Sequence, residues 1–182
     1  MHRKSIIILA MIAVTLVTIV PVFAVKPAGP SSSNGLDKGK NDHLYLYEKD
    51  PITWDIVEDP VWAKMNINVK KNKFVCNAHG LTPDEDYLLI SYQDPWPGTG
   101  SLLLGSGTAD EEGNVHIKGT IYYDELPFWE YTIVEGEEQY NVVGSKIWLI
   151  LAADFNEATA EMDGWNPSEY LFEFDLLNKI VS

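Results

Sequence analysis

Polar and apolar residues alternate one by one along much of this chain, and that period limits what it can fold into. Met65, Ile67 and Val69 alternate with Asn66, Asn68 and Lys70, and after a tight connection at Lys71-Asn72 the residues Phe74, Cys76 and Ala78 resume the pattern. Successive side chains of an extended strand point to opposite faces, so this spacing predicts a β-hairpin with one apolar face. The same period returns in His43-Leu44-Tyr45-Leu46-Tyr47, in Val115 and Ile117 around His116, and in Tyr170, Phe172 and Phe174 around Glu173. Residues 87–92 and 101–104 are apolar on both faces, which predicts central strands, and 146–153 is the most hydrophobic segment of the domain. Residues 52–57 and 129–134 predict two shorter strands. No segment carries a helical stripe, and 156–162 predicts a single helical turn. The fold class is therefore all-β, an antiparallel β-sandwich of about eight or nine strands. Cys76 is the only cysteine, so no intramolecular disulfide can form and packing alone must hold the domain together. Its place on the face shared by Phe74 and Ala78 predicts a buried small hydrophobe.

The N-terminus sets the address. Arg3 and Lys4 precede an uncharged apolar run over 6–24 that ends in Val22-Phe23-Ala24. A basic start, a greasy stretch and a small residue at the cut are the grammar of an export signal. Residues 1–24 are read as a signal peptide; an uncleaved anchor is the alternative, because about 20 apolar residues suffice to span a bilayer. Both readings leave the remaining chain outside the cytoplasm, either secreted or at the cell surface. Residues 25–42, rich in Pro, Gly, Ser, Asn and Lys, read as a flexible spacer, and 43–179 as a single domain. The chain has 13 basic and 27 acidic residues and a net charge of −14. Such a surface repels phosphate backbones and anionic lipid. Nucleic acid is excluded as a partner, and a membrane is reached only through a retained N-terminal segment.

Leu81-Thr82-Pro83-Asp84-Glu85-Asp86-Tyr87 has the form L-x-P-x-x-x-Y. It resembles the tyrosine corner of immunoglobulin-like and fibronectin type III-like sandwiches, in which the tyrosine hydroxyl bonds back to the backbone of the turn. A wider resemblance rests on His43-Leu44-Tyr45-Leu46-Tyr47-Glu48-Lys49, Asp94-Pro95-Trp96-Pro97-Gly98, Leu104-Gly105-Ser106-Gly107-Thr108, Gly113-Asn114-Val115-His116-Ile117, Lys146-Ile147-Trp148-Leu149 and the run from Gly164-Trp165-Asn166-Pro167 to Phe172-Glu173. Together these resemble an uncharacterised family of secreted proteins found mainly in archaea, especially methanogens. The resemblance implies export and a β fold. It implies no activity, and so no catalytic or cofactor-binding residue.

Few of the residues form a recognisable chemical motif. Gly98-Thr99-Gly100 and Gly105-Ser106-Gly107 lack the following helix that a phosphate cradle needs, and G-x-S-x-G is absent, so these glycines read as bulges and turns. His43, His79 and His116 stand far apart in sequence and form no zinc-binding motif, and His116 should face solvent. Asp154, Asn156, Glu157, Glu161 and Asp163 offer five oxygen donors within ten positions. Calcium accepts such irregular sets, although the glycine of an EF-hand loop is missing and a solvated loop is the plainer reading. Trp96 and Trp165 sit in loops rich in Pro and Gly; they either cap the open ends of the sandwich or stack against a ligand. The leading expectation is a non-catalytic structural or binding module that meets a cell-surface protein or polysaccharide. The alternatives are a Ca2+-assisted carbohydrate-binding module and a secreted hydrolase with paired carboxylates.

Overall fold

The computed structural model describes residues 41–58, 61–135 and 138–178. The expected signal peptide and nearly all of the spacer lie outside the described residues. The spacer's last two positions, 41 and 42, already belong to the first strand. The described chain is all-β and antiparallel, and no helix in it is long and apolar enough to cross a membrane.

Eight strands of six or more residues make the body. They are β1 (Asn41–Tyr47), β2 (Trp62–Asn68), β3 (Lys73–His79), β4 (Asp86–Tyr92), β5 (Leu102–Thr108), β6 (Val115–Thr120), β7 (Trp129–Glu135) and β8 (Glu138–Leu151). Four short strands follow: β9 (Phe155–Asn156), β10 (Glu161–Met162), β11 (Leu171–Glu173) and β12 (Leu177–Asn178). Eight of the twelve form one continuous hydrogen-bonded path in the order β5-β4-β8-β11-β1-β2-β3-β6; β7 and β12 pair with β8, and β9 and β10 pair only with each other.

The two layers expected of a sandwich are thus joined through β11 and β1 into one curled sheet, partly barrel-like. Its terminal strands, β5 and β6, come face to face. A Cβ added to Gly119 would lie 2.9 Å from the Leu104 carbonyl oxygen, and one added to Gly107 would lie 3.0 Å from Val115 Cγ1. Glycine is needed where two strands approach this closely. A register shift between Leu89 and Ile90 marks a bulge in the β4–β5 ladder, opposite Gly105 and Leu103. Residues 101–104 therefore belong to an end of the path and not, as expected, to a central strand.

The hairpin read from the alternation is present, with Met65 opposite Cys76 and Ile67 opposite Phe74. Its connection is a short 3-10 turn over Val69–Lys71, closed by Asn72 in the left-handed region at φ 50°. Asparagine tolerates that conformation better than most residues. Cys76 is buried, and burial pushes its thiol up to about 12. The tyrosine of the L-x-P-x-x-x-Y motif behaves as its form implies: the Tyr87 hydroxyl accepts from the Thr82 N–H at 3.2 Å.

Two further expectations differ from the structure. Residues 52–57 form no strand. They are the tip of an extension in which Lys49 bridges Ile56 and the Asp50 carboxylate accepts the N–H groups of Ile52 and Thr53. Residues 156–162 form no helical turn but the β9–β10 hairpin. Asn156 Oδ1 accepts from Ala158 N–H and Thr159 N–H, and Ala160 takes φ 53°. In both places a short side chain captures the backbone locally and wins over the propensity of the run.

Side-chain alternation in β4, β8 and β11 sorts the interior into two cores. Tyr87, Leu89, Ile147, Leu149 and Leu171 point into the curled sheet and join Leu44, Leu46, Met65, Ile67, Phe74 and Ile117. Leu88, Ile90, Tyr92, Trp148, Ile150, Tyr170 and Phe172 point the other way and pack with Phe155 and Met162 of the β9–β10 hairpin. That second layer explains why 87–92 and 146–151 are apolar on both faces.

Candidate functional site

Of the five large apolar side chains well exposed among the described residues, four, all but Tyr122, belong to the loops over the outer layer. Trp54, Trp96 and Trp165 are 47%, 51% and 40% exposed, and Ile52 is 88% exposed. The three indoles come from three separate loops and meet. The Trp165 ring lies 5.4 Å from Trp96 and 6.4 Å from Trp54, centroid to centroid. Beneath them is a buried aromatic floor: Trp148 stacks on Tyr92 at 3.8 Å, and Phe172 stands edge-on to Trp148 and to Trp54, both at 5.1 Å. Such edge-to-face and stacked pairs fix ring orientation beyond simple burial.

Each loop is held by its own polar brace. The Trp54 loop is built on Asp50, whose carboxylate takes the N–H groups of Ile52 and Thr53 while its backbone N–H bonds to the Asp55 carbonyl. Those donors, Thr53 first, hold the Asp50 carboxyl below the usual carboxylate range. Trp54 itself sits at φ 62°, a left-handed conformation that is unusual for a bulky residue. The Trp96 loop is tied to the β9–β10 hairpin. Met162 N–H bonds to the Pro97 carbonyl, Gly100 N–H and Ser101 N–H share the Ala160 carbonyl, and the Thr99 hydroxyl donates to Glu161.

The Trp165 loop is organised around Asp154. Its carboxylate accepts from Asn166 Nδ2 at 2.8 Å and from the Tyr170 hydroxyl at 2.5 Å, and its carbonyl accepts from Asp163 N–H and Gly164 N–H. A Cβ on Gly164 would collide with Asp154 Oδ1, so only glycine lets the loop close here. The Tyr170 hydroxyl also accepts from Asn166 N–H, and burial together with the neighbouring carboxylate pushes it well above its ordinary value.

Four of the five oxygen-donor side chains of the acidic loop have hydrogen-bond partners within the fold. Asp154 is buried at the hub of the Trp165 loop. Asn156 caps the hairpin turn and donates to Asp163, Glu161 accepts from Thr99, and Glu157 is exposed at the tip. Among the described residues, no group of three or more His, Cys, Asp or Glu side chains is placed to hold a metal ion. His116 is exposed, with a ring nitrogen 2.7 Å from Asn77 Oδ1, and His79 sits 2.8 Å from Asn114 Oδ1.

Two further features lie beneath or beside this face. Glu173, on the inward side of β11, is buried and accepts the Ile147 N–H. Burial pushes its carboxyl up to about 7, against the pull of Lys49 and Lys146, and burial pushes Lys49 down. A cavity of about 320 Å³ lies beside the tyrosine corner, lined by Glu48, Leu81, Thr82, Tyr87, Glu169 and Tyr170 among others. Glu169 accepts the Thr82 hydroxyl there.

Sequence reasoning singled out Trp96 and Trp165 but missed Trp54. The signal was present as an Asp-Pro turn start, Asp50-Pro51, carrying Ile52 and Trp54 into what reads as a strand. Comparisons of the chain with family models, with curated proteins and with solved structures return no match.

Proposed function

We propose that this protein is a non-catalytic binding module working outside the cell, and that the face made by Trp54, Trp96 and Trp165 is its binding surface. The observation that carries the reading is the convergence of three part-exposed indoles, from three loops, on one buried aromatic floor. Exposed large apolar groups cost solvation, and the left-handed Trp54 backbone adds strain; both are features that a binding role accounts for. The export-like N-terminus, and the resemblance to secreted archaeal proteins, support an extracellular location or one at the cell surface. The tyrosine-corner hydrogen bond supports the finer fold reading, an immunoglobulin- or fibronectin III-like relative of the sandwich class.

The test is retention of cell-surface material by the immobilised protein and by its Trp54→Ala/Trp96→Ala variant. Material held by the wild type and released by the variant is the expected result. Equal retention by both would remove this face from the function. A hydrolytic reading has the weaker support, since of the two carboxylates lining the tyrosine-corner cavity Glu169 is already engaged by Thr82.

A further inference from the structure

We propose that the ligand of the tryptophan face is a neutral polysaccharide, stacked on the indoles through its apolar sugar faces. The proposal rests on the binding reading above and names the ligand's chemical class. A sugar ring offers a flat C–H face bordered by hydroxyl groups, so its complement is a rigid aromatic surface edged by hydrogen-bonding oxygens.

The three loops supply that pairing. Along with Trp54, Trp96 and Trp165 they carry Thr53, Asp55, Thr99, Asp163 and Asn166, and residues 50–56, 94–101 and 163–169 include no lysine or arginine. Asp55, Thr99, Asp163 and Asn166 are exposed. Lys146, near this face, is ion-paired with Asp94 and lies 5.9 Å from the Tyr92 ring centroid.

Charge then separates the occupants. With a net charge of −14 and carboxylates along the loops, the protein repels uronic-acid or sulfated glycans, anionic lipid and nucleic acid. A cationic ligand held in an aromatic cage needs a gap between ring faces. Between Trp96 and Trp165 there is no such gap, because the two rings stand edge-on at 5.4 Å and 80°. Insertion into a lipid interface would require desolvating the loop carboxylates along with the indoles. Hydroxyl groups of a neutral glycan can instead donate to those carboxylates. The rings are also fixed before binding, by the floor of Trp148, Phe172 and Tyr92 and by the braces on Asp50, Ala160 and Asp154, so little order is lost on association.

The experiment titrates the full-length protein, in calcium-containing buffer, with three soluble neutral polysaccharides: a β-glucan, a mannan and a galactan. Alginate and zwitterionic phosphatidylcholine vesicles are run in parallel, and binding is followed by intrinsic tryptophan emission. The expected result is saturable binding of at least one neutral polysaccharide and none of alginate. Trp54→Ala and Trp96→Ala should each weaken it by about tenfold while melting within a few degrees of the wild type. Trp96→Phe, which keeps a ring, should restore most of the affinity. Binding to vesicles alone, or to a protein partner alone through the same indoles, would overturn the glycan assignment and leave the binding face standing. Glycan binding that survives both alanine variants would overturn the face itself. Silence toward all three neutral polysaccharides would also overturn the glycan proposal.

Discussion

The inner core and the outer layer share three strands yet are made of different side chains. Inside the curled sheet the buried cluster is largely aliphatic, with Phe74 and Tyr87 its aromatic members. Outside it, five of the nine buried residues are aromatic: Tyr92, Trp148, Phe155, Tyr170 and Phe172. The inner core is closed by the meeting of β5 and β6. The outer layer is covered by the short β9–β10 hairpin and three loops, and at its edge the covering aromatics remain part-exposed. Aliphatic packing fills a closed volume, whereas large rings can be half-covered and still be fixed in orientation by their neighbours. The same strands thus carry stability on one face and, if the tryptophan face binds as proposed, recognition on the other.

Four substitutions test that division, in falling order of effect. Leu149→Ala opens a cavity in the inner core and should cost about 3 kcal/mol in chemical denaturation; a loss as small as that of a surface change would mean the interior is not tightly packed. Asp154→Ala removes the brace of the Trp165 loop and should cost about 2 kcal/mol, because Asn166 and Tyr170 lose their shared acceptor. That loss should be equal in calcium and in EDTA. A loss seen only with calcium would reassign Asp154 to ion binding.

Glu173→Gln probes the seam between the two layers. Burial raises the folded carboxyl from 4.5 to about 7, so the folded state takes up the proton more readily than the unfolded chain. The associated stability is complete below about pH 4.5 and is lost as pH rises through 7. Relative to the glutamine variant, the wild type should lose on the order of 2 kcal/mol between pH 4.5 and 8, read from melting curves across that range. Parallel pH profiles would show that the residue does not titrate in this window. The smallest effect is expected of Trp54→Ala, a change of about 1 kcal/mol in stability despite the size of the ring, since the residue is 47% exposed and loses its ring contacts with Phe172 and Trp165. A large destabilisation would make Trp54 a structural cap.

The strand pattern was largely legible because burial on one face leaves a period of two in the sequence. Met65, Ile67, Phe74 and Cys76 announce their hairpin, and Leu81, Pro83 and Tyr87 announce a turn closed by the tyrosine hydroxyl. The doubly apolar strands were visible too, but what covered their second face was not. Phe155 and Met162 reach it from a hairpin set by Asn156 and Ala160, a local capture that competes with a helical reading of the same residues. Ile52 and Trp54 look like strand residues because they are apolar; they are exposed, and only the approach of Trp54 to Phe172 and Trp165, more than a hundred positions away, shows what the loop is placed against. The acidic loop could be read from its spacing either as a solvated loop or as a calcium site; what spacing does not reveal is that four of its five side chains, Asp154, Asn156, Glu161 and Asp163, have hydrogen-bond partners in the fold.

Whether Trp54, Trp96 and Trp165 form one surface on the Trp148 floor can be read directly by fluorine NMR of the protein labelled with 5-fluorotryptophan, comparing wild type with Trp165→Phe. Losing the Trp165 indole should shift the resonances of Trp54, Trp96 and Trp148 together and leave Trp62, which packs against Tyr45 and His79, in place. Unmoved signals from Trp54 and Trp96, or a Trp62 signal that moves with them, would contradict a shared surface.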